Sequence, residues 1–218
     1  MILKKIAALI FPPKCILCKK VLERDETDLC RHCRVHAPAC PVSKQKLSFL
    51  DSWVAIWHYE DSVRSSVLRY KFYGRRGYAH AYGRLLAMKL SQEYPEGFDL
   101  ITWVPTGLLR KLRRGYDQAQ LLAEAVGAEL DMPPQPTLKK IRHTRTQSTI
   151  RGDAHRRANV LGAYEAIDPK LLSGKRILLL DDVITTGSTA GECARVLLTA
   201  GAEEVHCAAV ARARYAKR

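Results

Sequence analysis

The fold is most clearly indicated by the segment Arg176-Ile-Leu-Leu-Leu-Asp-Asp-Val-Ile-Thr-Thr-Gly-Ser-Thr-Ala190. An apolar run typical of a buried strand leads into two adjacent carboxylates, and a turn rich in hydroxyl groups and glycine follows. We predict that a helix begins directly after this turn. A strand, a polar loop and a helix N-terminus form a favourable phosphate site, because backbone N–H groups and the positive end of the helix dipole face the anion.

The turn itself offers several phosphate ligands. Gly187 lets the backbone approach an anion without an intervening side chain, and Thr185, Thr186, Ser188 and Thr189 supply hydroxyl donors. The turn lacks the second glycine and the lysine of a nucleoside-triphosphate P-loop, and it has carboxylates where a dinucleotide-binding fingerprint has glycines. A buried strand followed by a threonine-rich helix cap, with no ligand, is the alternative.

Two carboxylates beside a phosphate site, Asp181 and Asp182, are unfavourable unless they bind a hydrogen-bond donor or a cation. A ribose diol meets this requirement, since its two hydroxyl groups donate to carboxylate oxygens. A magnesium ion near the same carboxylates is a second way to meet it. The segment is therefore consistent with a ligand that combines ribose and phosphate.

The composition sets the scale of the molecule. With 218 residues, of which 47% are hydrophobic, the chain is long enough for one α/β domain and a small accessory unit. An excess of lysine and arginine gives a formal net charge of +14, which predicts anionic partners such as a nucleic acid. The apolar run within residues 1–11 is too short for a membrane span, so we expect a short docking helix and a cytoplasmic protein.

Four cysteines near the N-terminus form two CxxC pairs, Cys15 with Cys18 and Cys30 with Cys33. Each pair places two thiolates on one tight turn, and two facing turns complete the tetrahedral site typical of structural zinc. A redox-active dithiol is the alternative, but such motifs usually occur once and within a βαβ unit. We predict a zinc ion that stabilises a segment too small to fold alone. The candidates to replace one of these four cysteines as a zinc ligand are Cys40, His32 and His36.

A change in composition after Pro41 predicts a domain boundary near residue 47. Residues 1–46 then contain the N-terminal helix and the cysteine module, and residues 47–218 form the main domain. In the main domain, strand-like and helix-like patterns alternate, which predicts a parallel, doubly wound sheet flanked by helices. The expected strands are 53–59, 99–104, 137–142, 159–164, 176–180 and 205–210.

The segment from Arg64 to Leu90 has basic but no acidic residues, and aromatic residues are interleaved with them. Aromatic rings beside a basic track can stack the bases of a single-stranded nucleic acid. Solvated helix faces explain the same pattern equally well. The candidate nucleic-acid contacts are Arg64, Arg69, Lys71, Arg75 and Arg76, and the candidate stacking rings are Tyr70, Phe72, Tyr73 and Tyr78.

A basic loop follows the predicted strand 99–104 and its terminal Pro105-Thr106-Gly107. A basic loop between a strand end and a helix start is well placed to bind a diphosphate, although a merely solvated loop is the alternative. Asp117 and Gln120 predict a capping box at the start of the next helix. The basic residues of the loop are Arg110, Lys111, Arg113 and Arg114.

Residues 143–157 show no apolar period and are rich in arginine, threonine and glutamine. A polar insertion of this length in a compact domain is usually a mobile functional loop. We therefore expect a lid that closes over the bound ligand, with Gln147 and Arg151 among its ligand contacts.

Three features occur in the order found in the ComF family: the double CxxC, Leu112-Arg-Arg-Gly-Tyr-Asp-Gln-Ala119, and the segments Thr144-Arg-Thr-Gln147 and Arg156-Arg-Ala-Asn-Val160 before the Asp-Asp motif. The chain resembles this family over essentially its whole length. ComF proteins are similar to phosphoribosyltransferases and include late competence proteins used in DNA uptake. The Asp-Asp segment resembles the motif with which type I phosphoribosyltransferases bind 5-phosphoribosyl 1-diphosphate (PRPP), and Val104-Pro-Thr-Gly107 resembles amidophosphoribosyltransferases.

The resemblance implies a type I phosphoribosyltransferase-like parallel sheet flanked by helices, preceded by a small zinc-ribbon-like module. It implies that the acid pair holds the ribose hydroxyls, that residues 185–189 hold the 5′-phosphate, and that the basic loop holds the diphosphate together with Mg²⁺. The implied catalytic residues are Asp181, Asp182, Gln147 and Arg151. The implied PRPP-binding residues are Asp181, Asp182, Val183, Thr185, Thr186, Gly187, Ser188, Thr189, Pro105, Thr106, Arg110, Arg113 and Arg114.

Three functions remain open at this point. The first is a PRPP-binding protein of DNA uptake and natural transformation that contacts single-stranded DNA and a DNA-uptake helicase or channel protein at the inner membrane. The second is a phosphoribosyltransferase that acts on a base or an amine. The third is a regulator that senses PRPP without chemistry.

Overall fold

The computed structural model describes residues 12–42, 46–142, 144 and 153–214. In these ranges the strands are β1 Ser52–His58, β2 Leu100–Trp103, β3 Leu138–Lys140, β4 Tyr164–Ala166, β5 Arg176–Ile184 and β6 Glu204–Arg212. The helices are α1 Arg31–His36, α2 Asp61–Phe72, α3 Tyr78–Glu93, α4 Leu108–Arg114, α5 Gln118–Glu129, α6 Asp153–Val160, α7 Pro169–Leu172 and α8 Ser188–Thr199. None of the helices in this part of the chain is long and apolar enough to cross a bilayer.

The main sheet has the strand order β1-β6-β5-β2, and every neighbouring pair is parallel. β5 is a central strand: Leu180 pairs with Ala208 of β6 on one side and with Trp103 of β2 on the other. The short strands β3 and β4 form a separate antiparallel pair. The predicted parallel sheet flanked by helices is confirmed.

Alternate residues of β5 belong to two different hydrophobic cores, because successive side chains of a strand point to opposite faces. Leu178 and Leu180 pack in a core with α2, α3 and α5, whereas Ile177 and Leu179 pack in a core with α8. All four side chains are fully buried. This burial on both faces explains why the strand has a continuous apolar run instead of an alternating pattern.

The cysteine module shares the first of these cores. Cys15 and Cys33 are buried among residues of α2 and α3, and the hydroxyl group of Ser66 donates a 2.5 Å hydrogen bond to the carbonyl of Ile16. The module and the main domain are therefore packed on each other. The domain boundary near residue 47 stays a prediction.

The basic segment 110–114 is helical, so the prediction of a loop is wrong. α4 has seven residues, begins after Gly107 and ends at Gly115, which adopts φ 76°. Leu108, Leu109 and Leu112 of this helix are exposed. The helix was not predicted because it is only seven residues long and its apolar residues face solvent. Its sequence therefore lacks the helical period of a buried face.

The predicted strand over residues 159–164 is also wrong. α6 continues to Val160, and β4 begins only at Tyr164. Gly162, at φ 66°, supplies the left-handed residue with which helices commonly end. Residues 153–157, predicted as loop, form the first part of α6. The rest of the predicted lid, apart from Thr144, lies outside the described residues.

Candidate functional site

The turn between β5 and α8 is organised by its own packing and hydrogen bonds. Gly187 adopts φ 79°, and a Cβ atom at this position would lie 2.8 Å from Leu47 Cδ1, so both the backbone and the packing exclude a side chain. Thr186 Oγ1 accepts a 3.2 Å hydrogen bond from the backbone N–H of Ser188 and lies 2.7 Å from its Oγ. Hydroxyl groups and the first N–H groups of α8 thus gather at one point, as an anion-binding turn requires.

A cavity of about 510 Å³ opens at the carboxyl ends of β2 and β5, where parallel α/β sheets commonly bind their ligands. Its wall combines acidic, basic, hydroxyl-bearing and apolar side chains. The lining includes Tyr59, Arg64, Leu68, Lys71, Phe72, Pro105, Thr106, Arg110, Arg114, Lys140, Thr144, Tyr164, Asp181, Asp182, Val183, Thr185 and Thr189.

Most of the residues proposed from the sequence as PRPP contacts line this cavity. Thr186, Gly187 and Ser188 instead line a neighbouring cavity of about 340 Å³. Arg113 lines neither of these two cavities. Gln147 and Arg151 lie outside the described residues. The proposed contacts that line the larger cavity are Asp181, Asp182, Val183, Thr185, Thr189, Pro105, Thr106, Arg110 and Arg114.

The acid pair Asp181 and Asp182 lies directly after the apolar part of β5. Burial, followed by the charge of Asp182, raises the pKa of Asp181 to about 7. Two effects oppose this shift without cancelling it: the nearby charge of Lys71, and a 2.7 Å hydrogen bond from the backbone N–H of Asp182 to Asp181 Oδ1. Lys71 Nζ lies 2.7 Å from Asp182 Oδ1. Asp181 therefore changes its charge close to neutral pH.

A group of basic side chains from α4 and β3 also lines the cavity. Arg110 donates a 2.8 Å hydrogen bond to the carbonyl of Thr144, and Lys140 Nζ donates a 2.8 Å hydrogen bond to the hydroxyl of the same residue. Burial, followed by the charge of Arg110, lowers the pKa of Lys140 to about 8. Like charges held this close together favour an anionic ligand, as expected of a phosphate or diphosphate site.

Asp117 connects the loop after β2 with the start of α5. Its Oδ2 accepts a 2.8 Å hydrogen bond from the N–H of Thr106, and its Oδ1 accepts a 3.1 Å hydrogen bond from the N–H of Ala119. The capping box is formed only in half, because the side chain of Gln120 donates to Glu124 instead of returning to Asp117. Asp117 thus fixes the Pro105–Thr106 edge of the cavity.

Lys140 and Tyr164 are site residues that the sequence did not reveal. They are register partners across the antiparallel pair β3–β4, and Lys140 Nζ lies 3.3 Å from the hydroxyl oxygen of Tyr164. Neither residue belongs to a motif, and both strands are only three residues long. The sequence predicts strands over residues 137–142 and 159–164, but nothing in either segment indicates that the two pair with each other.

The basic residues considered for nucleic acid do not form one continuous surface. Arg64 lines the cavity, and Lys71 pairs with the acid pair. The guanidinium of Arg69 donates to two backbone carbonyls of the first cysteine turn. Arg75 and Arg76 are exposed. Arg76 nevertheless donates a 3.2 Å hydrogen bond to the carbonyl of Gly115, and its guanidinium carbon lies 4.7 Å from the ring centroid of Tyr116. Arg69, Lys71 and Arg76 therefore have partners within the fold, and Arg64, although exposed, lines the cavity.

The candidate stacking rings of the same segment also differ in exposure. Tyr70 is fully buried, and its hydroxyl donates a 2.7 Å hydrogen bond to the carbonyl of Gln118. The prediction that Tyr70 stacks nucleic-acid bases is therefore wrong. Phe72 and Tyr73 are exposed, and Phe72 also lines the cavity.

The four cysteines of the double CxxC come together as predicted from their spacing. All four Sγ atoms lie within 4.8 Å of one another, and Cys18 Sγ is 3.6 Å from Cys30 Sγ. Tetrahedral zinc with Zn–S bonds of about 2.3 Å requires sulfur atoms about 3.8 Å apart. The thiols are free of disulfides, so the donor set and its spacing fit a zinc ion. The substitute ligands Cys40, His32 and His36 are not part of the cluster.

Comparison with known proteins agrees with this architecture. Residues 112–218 match the phosphoribosyl transferase domain family. The sequence is 30% identical to Competence protein F of Haemophilus influenzae over 92% of this chain and 97% of that protein. It is 30% identical to DNA utilization protein YhgH of Escherichia coli (strain K12), over 88% and 86% of the two chains. It is 26% identical to Competence protein ComFC of Bacillus subtilis (strain 168), over 86% and 78%. The chain, with its phosphoribosyltransferase-type α/β fold, belongs to the ComF family.

Proposed function

We propose that the protein binds PRPP at the carboxyl ends of β2 and β5 and that it acts in DNA uptake. One observation supports the first part most strongly: the acid pair, the hydroxyl-rich turn before α8 and the basic residues of α4 border two adjoining cavities. PRPP carries a ribose diol, a 5′-phosphate and a diphosphate. Each of these groups has a chemically matching partner in the site.

The assignments follow from hydrogen bonding and charge. Asp181 and Asp182 accept hydrogen bonds from the ribose hydroxyls. The turn 185–189 donates its N–H and hydroxyl groups to the 5′-phosphate. Arg110 and Lys140 attract the diphosphate. Magnesium bound together with PRPP would add positive charge at the diphosphate.

PRPP binding is tested by thermal unfolding with PRPP, ribose 5-phosphate or inorganic diphosphate. A ligand at about 100 times its dissociation constant stabilises a protein by about 2.7 kcal/mol, which raises the Tm of a chain of this size by roughly 5–10 °C. PRPP should raise the Tm more than either fragment, because it engages both anion sites. Equal shifts for all three ligands, or none, would contradict the proposal.

The role in DNA uptake is supported by the relatives named competence protein and DNA utilization protein. The net charge of +14 supports contact with a polyanion. We place single-stranded DNA at the exposed Arg75 and Arg76, delivered by a helicase or channel protein on the cytoplasmic side of the inner membrane.

DNA contact is tested by its salt dependence. The logarithm of the affinity for single-stranded DNA should fall by about 0.7 per neutralised phosphate for each tenfold rise in salt. Arg75→Glu combined with Arg76→Glu should weaken binding to all sequences alike and leave PRPP binding unchanged. An undetectable or salt-independent interaction would remove DNA contact from the proposal.

A second candidate function is transfer of the phosphoribosyl group to a base or an amine. Leu68 and Phe72 of α2, together with Tyr59, give the cavity an apolar wall that suits a planar base. In this reaction the acceptor nitrogen forms a bond to C1 of the ribose while the bond from C1 to the diphosphate oxygen breaks. The diphosphate leaves with the electron pair, and the acceptor nitrogen releases one proton to the solvent. Release of diphosphate from PRPP, screened with bases, ammonia and glutamine, tests it. PRPP binding without release would exclude the transferase and leave a PRPP-binding protein of DNA uptake or a PRPP-sensing regulator.

A further inference from the structure

Lys71 contacts the acid pair directly. Its Nζ lies 2.7 Å from Asp182 Oδ1, and the two side chains are only 18% and 15% exposed. Ion pairs on the protein surface are weakened by water and by salt, whereas a pair with this little exposure is shielded from both. The ammonium group of Lys71 is therefore a fixed part of the cavity.

The backbone around Lys71 is held from two directions. The preceding residue, Tyr70, is fully buried and donates a 2.7 Å hydrogen bond to the carbonyl of Gln118 in α5. Arg69 donates a 2.6 Å hydrogen bond to the carbonyl of Leu17 in the first cysteine turn. Because these two preceding residues are anchored, the backbone of Lys71 has a defined position. Its side chain reaches Asp182 without a rearrangement of α2.

A divalent cation at such a site would have two tasks: to compensate the carboxylates and to attract the diphosphate. Lys71 compensates Asp182, and Asp181 Oδ1 accepts a 2.7 Å hydrogen bond from the backbone N–H of Asp182. The second task falls to Arg110 and Lys140, which line the same cavity. Side chains thus fill both roles.

We infer that Lys71 takes the place at Asp182 that a magnesium ion would otherwise occupy, and that this cavity needs no divalent cation to bind a sugar diphosphate such as PRPP. The inference rests on the proposed function, because it requires PRPP to occupy the cavity. A divalent cation at Asp182 would have to displace the ammonium group of Lys71. It would also enter a cavity whose lining already includes the basic residues Arg64 and Arg114.

The test is isothermal titration of the full chain with PRPP, once in a chelating buffer and once with magnesium in excess. Wild-type protein should bind PRPP in both buffers with affinities that differ by less than about threefold. Lys71→Met keeps the length of the side chain and removes its charge. In the chelating buffer this variant should bind at least about tenfold more weakly, and magnesium should restore most of the loss. Lys71→Arg, which keeps the charge, should retain binding in the chelating buffer.

Arg75→Met is the matched control, since Arg75 is an exposed basic residue that does not line the cavity. It should bind like the wild type in both buffers. Wild-type binding that requires magnesium would overturn the inference and leave PRPP binding intact. Undiminished binding by Lys71→Met in the chelating buffer would overturn it as well. If Lys71→Met does not fold, the wild-type comparison decides alone. Absence of PRPP binding in both buffers would overturn the proposed function itself.

Discussion

The guanidinium group of Arg69 donates a 2.6 Å hydrogen bond to the backbone carbonyl of Leu17, which lies between Cys15 and Cys18. A second hydrogen bond, of 2.8 Å, reaches the neighbouring carbonyl of Ile16. The same helix α2 carries the lysine that pairs with the acid pair. The cysteine module therefore supports a helix that forms part of the ligand cavity.

Replacement of Arg69 by methionine should destabilise the folded protein. Two carbonyl acceptors lose a charged donor, although Ile16 keeps the hydrogen bond from Ser66. Loss of such a donor costs about 1–3 kcal/mol, which lowers the Tm of a chain of this length by roughly 2–12 °C. Thermal unfolding measures the change, with the exposed Arg75→Met as a control that should unfold at the wild-type temperature. An unchanged Tm for Arg69→Met would show that this contact does not support α2.

The cysteine cluster should contain about one zinc ion per chain in purified protein, as elemental analysis would show. Cys15→Ser combined with Cys18→Ser removes two of four ligands and should abolish zinc binding and destabilise the N-terminal module. Cys40→Ala, at a cysteine outside the cluster, should retain the metal. Full zinc content in the double variant would rule out the assignment.

Asp117 offers a test of the Pro105–Thr106 edge of the cavity. Asp117→Ala removes the helix cap, at a cost of about 1 kcal/mol, and releases the N–H of Thr106. We expect a lower Tm together with weaker PRPP binding. Asp117→Asn keeps an oxygen acceptor and should lose less of both. Gln120→Ala changes only the hydrogen bond to Glu124 and serves as the control. If Asp117→Ala binds PRPP as tightly as the wild type, Thr106 does not contribute to PRPP binding.

The affinity for PRPP should depend on pH on both sides of neutrality. Because the pKa of Asp181 is raised to about 7, its carboxylate is lost as the pH falls below 7, and PRPP affinity should decrease by up to about tenfold per pH unit. Because the pKa of Lys140 is lowered to about 8, its charge is lost as the pH rises above 8, and affinity should decrease again. Titrations from pH 5 to 10 at constant ionic strength measure this profile.

Two variants assign the two limbs of the pH profile. Asp181→Asn should flatten the acid limb, apart from the contribution of the phosphate groups of PRPP, which titrate near pH 6. Lys140→Met should flatten the alkaline limb. A wild-type affinity that stays constant between pH 5 and 10 would contradict both assignments.

The sequence alone predicts those parts of the site that a short stretch of consecutive residues forms. The strand and its acid pair can be read from residues 177–184, because burial on both faces produces a continuous apolar run. The turn that follows can be read from Gly187, because its backbone conformation requires glycine. The two CxxC pairs show the metal cluster for the same reason, since each turn supplies two ligands. The N-cap at Asp117 is equally local.

The other site residues are brought together by tertiary contacts, which leave no periodic pattern in the sequence. Lys71 appears in the sequence as one cation among many on a basic helix, and only the packing of α2 places it beside Asp182. Lys140 and Tyr164 are 24 residues apart and meet through the pairing of β3 with β4. The same dependence on packing explains why Arg69, expected on a nucleic-acid surface, instead contacts the cysteine module.

The central claim, that the acid pair of β5 binds the ribose of PRPP, is tested most directly by isothermal titration of wild type and of Asp181→Asn combined with Asp182→Asn. The double variant preserves side-chain volume and removes the negative charge of the oxygens that accept hydrogen bonds from the ribose hydroxyls. Hydrogen bonds to charged groups contribute about 1.5–3 kcal/mol each, so PRPP affinity should fall at least about tenfold. Binding of PRPP by the double variant as tight as that of the wild type would contradict the account.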